Sequence, residues 1–179
     1  MRCTDDKAVR GGFTLVEIMI TLVILGILVV IAVSDFRGLN EKYRVEAETK
    51  QLYADLMDVR GRALQRNRMH FVQIAADGLG YKTYDDTSDG TNPAPDGDRT
   101  LQESADTLVA NVKVFHAIHT ENIASLPLSF NFNRNGIASV TGFIRFSSTA
   151  QPDYDCITIT ATRIKMGQYD GTGNTCAEK

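Results

Sequence analysis

The sequence predicts an α+β chain in which one long N-terminal hydrophobic helix packs on a C-terminal antiparallel β domain. Three observations predict it. Phe13 to Val33 is a 21-residue apolar run whose only charge is Glu17. An apolar stripe at helical spacing follows it, and from His70 onward the chain turns to short alternating segments rich in Val, Ile, Thr, Phe and Tyr. The 179 residues, 43% hydrophobic and 23% charged, suffice for one compact domain plus an appendage, not for two full domains.

The helix comes first. At about 1.5 Å per residue the apolar run is long enough to cross a hydrocarbon core of roughly 30 Å, and nothing else in the chain is. Beyond it Leu52, Leu56, Val59 and Ala63 recur at spacings of 4, 3 and 4, with Tyr43 and Ala47 a turn earlier. No proline interrupts residues 13 to 92, so the helix is expected from Phe13 to about Asn67, apolar all round in 13–33 and amphipathic in 34–67. Arg60, Arg62, Arg66 and Arg68 fall in its last turns, where positive charge suits the macrodipole and a solvated end is expected.

The β domain follows over residues 68–179. His70 to Ala76 and Leu79 to Tyr84 flank Asp77-Gly78, a hairpin signal. Further strands are predicted at Thr107 to Ile118, Leu126 to Asn133, Gly142 to Ser147 and Cys156 to Lys165, with a turn at Asn133-Arg134-Asn135-Gly136. The amphipathic half of the helix would lay its stripe on this sheet.

Composition and spacing exclude several functions. Nineteen Lys plus Arg against 22 Asp plus Glu leave a net charge of −3, which rules out a global basic footprint for nucleic acid. Cys3, Cys156 and Cys176 form no CxxC pair, and no GxSxG, P-loop or HExxH occurs. His116 and His119, three apart on a predicted strand, would point to opposite faces and read as ordinary sheet residues. No enzyme, metal or cofactor is expected from this inventory.

The first 34 residues admit three readings. A basic start, an apolar stretch and Ala32-Val33-Ser34 suit a secretory signal peptide, although the stretch exceeds the usual 7 to 15 residues. An ordinary single-pass anchor explains the length but leaves Glu17 and Gly11-Gly12 as accidents. The third reading comes from Arg10-Gly11-Gly12 followed by Phe13-Thr14-Leu15-Val16-Glu17. This junction resembles the class III signal of type IV pilins and type II secretion pseudopilins. Downstream, the run Phe130 to Gly136, the Gly142 to Phe146 strand and a terminal strand Ile157 to Ile164 resemble the minor-subunit branch of GspH/FimT type.

The resemblance implies a leader, residues 1–12, cut after Gly12 by prepilin peptidase, with the new terminus Phe13 N-methylated. It places Glu17 at the fifth mature position, that of the family's assembly glutamate. A carboxylate in an apolar run is costly without a partner, and the positive amino terminus of a neighbouring Phe13 would supply one. The alternative is a Glu near the helix start that snorkels to the interface and favours the dipole. The implied protein is a non-catalytic minor pilin or pseudopilin, held in the bacterial inner membrane with its C-terminal domain in the periplasm. It is then assembled into, or primes, a type IV pilus or type II secretion pseudopilus with other pilins as partners. Flanking charge does not decide orientation, since Arg37, Lys42, Arg44 and Lys50 oppose the leader's basic residues. Ser34 stands where the family often has a kinking proline.

Three further expectations depend on that resemblance. With Cys3 in the leader, Cys156 and Cys176 remain as a pair in an oxidising compartment, and a disulfide is expected to tether a Gly-rich tail, Gly167 to Asn174. Major pseudopilins bind calcium, and Asp85, Asp89 and Asp96 fall at partial EF-hand offsets; the match is poor and a solvated loop is preferred. Some relatives bind DNA through a C-terminal Gly-Arg-x-Arg, which Thr162-Arg163-Ile164-Lys165 resembles, with Arg163 and Lys165 expected on one strand face. Against DNA, the chain from Phe13 carries 16 basic and 20 acidic residues, a net charge of −4.

Overall fold

A computed structural model describes residues 12–87 and 97–179, and over 32–37 it describes the backbone alone. The chain divides into two compact units, Met1–Leu39 and Asn40–Lys179. One helix, α1 (Leu15–Arg66), contributes to both, and nine strands follow: β1 (His70–Ile74), β2 (Gly80–Asp85), β3 (Thr107–Lys113), β4 (Ile118–Glu121), β5 (Leu128–Phe132), β6 (Gly142–Phe146), β7 (Cys156–Ile159), β8 (Ile164–Asp170) and β9 (Thr175–Glu178). The expected helix end at Asn67 becomes its cap. Asn67 adopts φ 55°, the left-handed conformation that stops helices and that Asn tolerates.

Within the second unit α1 buries Val45, Thr49, Leu52, Leu56, Val59 and Ala63 on one stripe. The stripe therefore continues backward through Thr49 and Val45, while Tyr43 and Ala47 are exposed. Thr49 hides that phase in the sequence because it is polar; its hydroxyl donates to the Val45 carbonyl at 2.9 Å and so enters the core satisfied. The stripe shares one buried core with Val72, Ile74, Tyr81, Phe130 and Phe132 of one sheet and Ile118, Ile144, Phe146, Ile157 and Ile159 of the other. Each such side chain, fully buried, contributes about 1.5–3 kcal/mol. The Tyr81 hydroxyl donates to Asp55 of α1 at 2.5 Å, and burial followed by that bond pushes its phenol above its ordinary pKa.

The strands form two antiparallel sheets where one was expected. Their orders are β3-β2-β1-β5 and β4-β6-β7-β8-β9. The predicted strand Thr107 to Ile118 is two strands in different sheets. The chain leaves the first sheet at Phe115 and His116, whose amides donate to Glu48 of α1 at 2.8 and 3.2 Å instead of to a neighbouring strand. The crossing presses Ile118 against the β1–β2 hairpin: its amide donates to the Gly78 carbonyl at 2.9 Å. Gly78 has φ +69°, and a Cβ there would lie 2.5 Å from the Ile118 oxygen, so Asp77-Gly78 admits no larger residue.

Cys156 to Lys165 is also not one strand. Thr160 and Arg163 close a turn through the Thr160 amide to the Arg163 carbonyl at 2.8 Å and the Arg163 amide to the Thr160 hydroxyl at 3.1 Å. That turn makes a hairpin of β7 and β8, with Ile157 opposite Met166 and Ile159 opposite Ile164. The expected Gly-rich tail likewise folds, as the end of β8, a turn and β9.

Candidate functional site

In the first unit Thr14 starts the helix. Its carbonyl accepts the Ile18 amide at 3.2 Å and its hydroxyl accepts the Glu17 amide at 3.3 Å, the geometry of an N-cap. Thr14-x-x-Glu17 is the capping-box pattern, a signal present in the sequence that the family resemblance overshadowed. Behind it stand fifteen large apolar side chains, Phe13 to Ile31, each 50–80% exposed and distributed all round the helix. The Glu17 carboxylate makes no hydrogen bond or ion pair among the described residues. Gly12 and Phe13 precede the first turn and are exposed, and residues 1–11, Cys3 among them, lie outside the described residues.

Among the described residues no helix is long and apolar enough to cross a membrane. The side chains described in the apolar run end at Ile31; Ala32, Val33 and Ser34 lie outside them.

His70 and His119 lie on strands, β1 and β4, as expected, whereas His116 lies on none. His116 is buried in the crossing segment between two carboxylates of α1, with Nδ1 at 2.7 Å from Glu48 and Nε2 at 2.8 Å from Glu41. Arg44 covers the adjoining Phe115 ring at 3.6 Å from its centroid. These contacts fix α1 to the crossing. His70 opens β1, fully buried, and burial lowers its pKa, with Asp85 opposing that shift.

The arginine-rich helix end is only partly a solvated one. Arg62 pairs with Asp58 one turn back at 2.6 Å, whereas Arg66 pairs with the buried Asp85 at the end of β2 and Arg68 stands 3.7 Å from the same carboxylate. Asp85 therefore faces the arginines of the helix end rather than the loop. Asp89 and Asp96, the other calcium candidates, lie outside the described residues, and no cluster of three or more potential ligands occurs among the described ones. The expected solvated loop begins with a buried staple: the Asp86 carboxylate accepts the amides of Asp98 at 3.2 Å and Arg99 at 3.0 Å. Burial raises its pKa to about 6; the bond from the Arg99 amide acts against that shift, and the neighbouring Asp106 charge adds to it. A Cβ on Gly97, φ +64°, would fall on this carboxylate.

Cys156 and Cys176 form a disulfide with Cα atoms 6.0 Å apart, linking β7 to β9 across the intervening β8. Arg163 and Lys165 are both exposed, on either side of the buried Ile164. Arg163 lies exposed in the β7–β8 turn, and Lys165 lies on β8 with its ammonium paired to Glu178 of β9.

The prokaryotic N-terminal methylation motif matches residues 7–33. No curated protein matches the sequence significantly. The crystal structure of the type IV minor pilin FimU from Pseudomonas aeruginosa superimposes with a TM-score of 0.51 at 14% identity, over 72% of this chain and 91% of that one. The chain thus carries a prokaryotic N-terminal methylation motif over residues 7–33 and shares the α+β fold of a minor pilin.

Proposed function

We propose that the protein is a non-catalytic minor pilin or pseudopilin subunit. In this reading prepilin peptidase cuts between Gly12 and Phe13, the new terminus is methylated, and the chain waits in the bacterial inner membrane with its second unit in the periplasm. It then joins other pilins in a type IV pilus or a type II secretion pseudopilus, or primes that fibre.

One observation carries the proposal: within the methylation motif the chain exposes fifteen large apolar side chains all round, with a Glu17 carboxylate that has no partner among the described residues. Contiguous apolar surface of that extent exceeds what a solvated protein exposes, so lipid or neighbouring helices must cover it. One surface serves both, lipid in storage and packed helices in the fibre. Glu17 then finds its partner outside its own chain, in the charged amino terminus of a neighbouring Phe13. Such a pair sets register between helices more than it adds stability, since desolvation offsets much of the Coulomb gain.

The test is fractionation of cells carrying Glu17→Ala into sheared fibres and membranes. The reading expects at least a tenfold loss from the fibre fraction with membrane levels unchanged. Incorporation equal to the unaltered chain would exclude the register role.

A further inference from the structure

Within the second unit, three segments line an open cavity of about 360 Å³. The helix exit contributes Asn67 and Arg68, the chain after Gly97 contributes Arg99, and the turn after β5 contributes Asn133, Arg134 and Asn135. Its described lining holds three guanidinium groups and three side-chain amides, and no carboxylate.

The guanidinium groups are largely unneutralised. Arg99 and Arg134 make no side-chain hydrogen bond or ion pair among the described residues. Arg68 stands 3.7 Å from Asp85, and its Nε is buried with no hydrogen-bond partner. Each segment is nevertheless held in place independently. The Asp86 carboxylate pins Arg99, whose φ of 69° is left-handed. The Asn133 side chain accepts the amides of Asn135 at 2.9 Å and Ile137 at 3.0 Å. Gly136, φ +68°, seats that turn on α1, where a Cβ would come within 3.3 Å of Leu64 and Arg60.

Like charges gathered on fixed loops repel one another, and an anion removes that cost. The planar guanidinium fork is matched to phosphate and carboxylate oxygens, and amide N–H groups complete such a site. We propose that this cavity binds an oxyanion, a phosphate or carboxylate group, held by Arg99 and Arg134 with Arg68 at its wall. The group is supplied either by a free small anion or by an acidic side chain of another protein.

The test is thermal unfolding of the full chain in non-ionic detergent. It compares inorganic phosphate, a tetra-aspartate peptide, and sodium chloride at equal ionic strength. At a hundredfold excess over its dissociation constant a bound ligand raises Tm by about 5 °C or more. The Arg99→Ala/Arg134→Ala double variant loses that rise, the milder Arg134→Gln loses at least half of it, and Lys42→Ala, on α1 about 37 Å back along the helix from Asn67 and paired there with Asp153, keeps it. A rise with phosphate assigns a free anion; a rise with the peptide alone assigns a protein carboxylate. No rise with either, or one that persists in the double variant, overturns the proposal.

Discussion

Gly167 of β8 lies directly beneath Cys176: a Cβ built on it would stand 2.9 Å from the cysteine sulfur and 2.3 Å from the Ala177 carbonyl oxygen. The absent side chain leaves room for the disulfide to pass from β7 to β9 over the middle strand. Gly167→Ala is expected to cost about 1–3 kcal/mol through overpacking, because a backbone carbonyl cannot rotate away. Cys156→Ser/Cys176→Ser, opening a bridge between residues 20 apart, is expected to cost about 3 kcal/mol. Denaturant unfolding with and without reductant checks both: the reductant should destabilise the parent chain and leave the double serine variant unmoved.

The phase of the buried stripe gives a second test. Leu52→Ala is expected to cost about 2–5 kcal/mol as a fully buried core truncation, whereas Tyr43→Ala, exposed, should stay within about 0.5 kcal/mol. Chemical denaturation of the two variants side by side distinguishes this phase from one running through Tyr43.

Much of the architecture was legible because it rests on local pattern. The apolar run, the helix and the turns at Gly78 and Gly136 all follow from spacing or from glycine's backbone freedom. What escaped depends on contacts distant in sequence. Glu48 draws the chain out of the first sheet at Phe115, 67 residues away, so the alternation of Thr107 to Ile118 reads as one strand while the fold makes two. Thr49 masks the stripe because its hydroxyl is satisfied inside its own helix. Asp85 looks like a loop ligand until Arg66 is brought to it. Thr14, the helix cap, was written in the capping-box spacing and was there to be read.

Stability should respond to acid through Asp86. Its folded pKa, about 6, lies above the roughly 3.9 of an unfolded aspartate, so the folded state binds the proton more tightly. The sign follows by linkage: between about pH 4 and 6 this group makes the fold more stable as pH falls. Asp86→Asn removes the dependence. The stability difference, parent minus variant, should therefore grow in the parent's favour from pH 7.5 to pH 4.5. Because both chains share His70, whose lowered pKa acts in the opposite sense, its contribution cancels in the difference.

The His116 clamp provides a fourth test. His116→Leu leaves Glu41 and Glu48 without the ring that bridges them, and an expected loss of about 1–3 kcal/mol follows from unmaking buried polar contacts. Equilibrium unfolding reads the loss. A neutral result would mean that the two amides of Phe115 and His116 alone hold Glu48 to the crossing.

The central claim is that the helix start is a processed terminus built for assembly. Intact mass and amino-terminal sequencing of the protein purified from its native membrane test it most directly. The account predicts a chain beginning at Phe13 and carrying one added methyl group. A chain beginning at Met1, or one cut within or after the apolar run, would contradict it and leave Glu17 without its proposed partner.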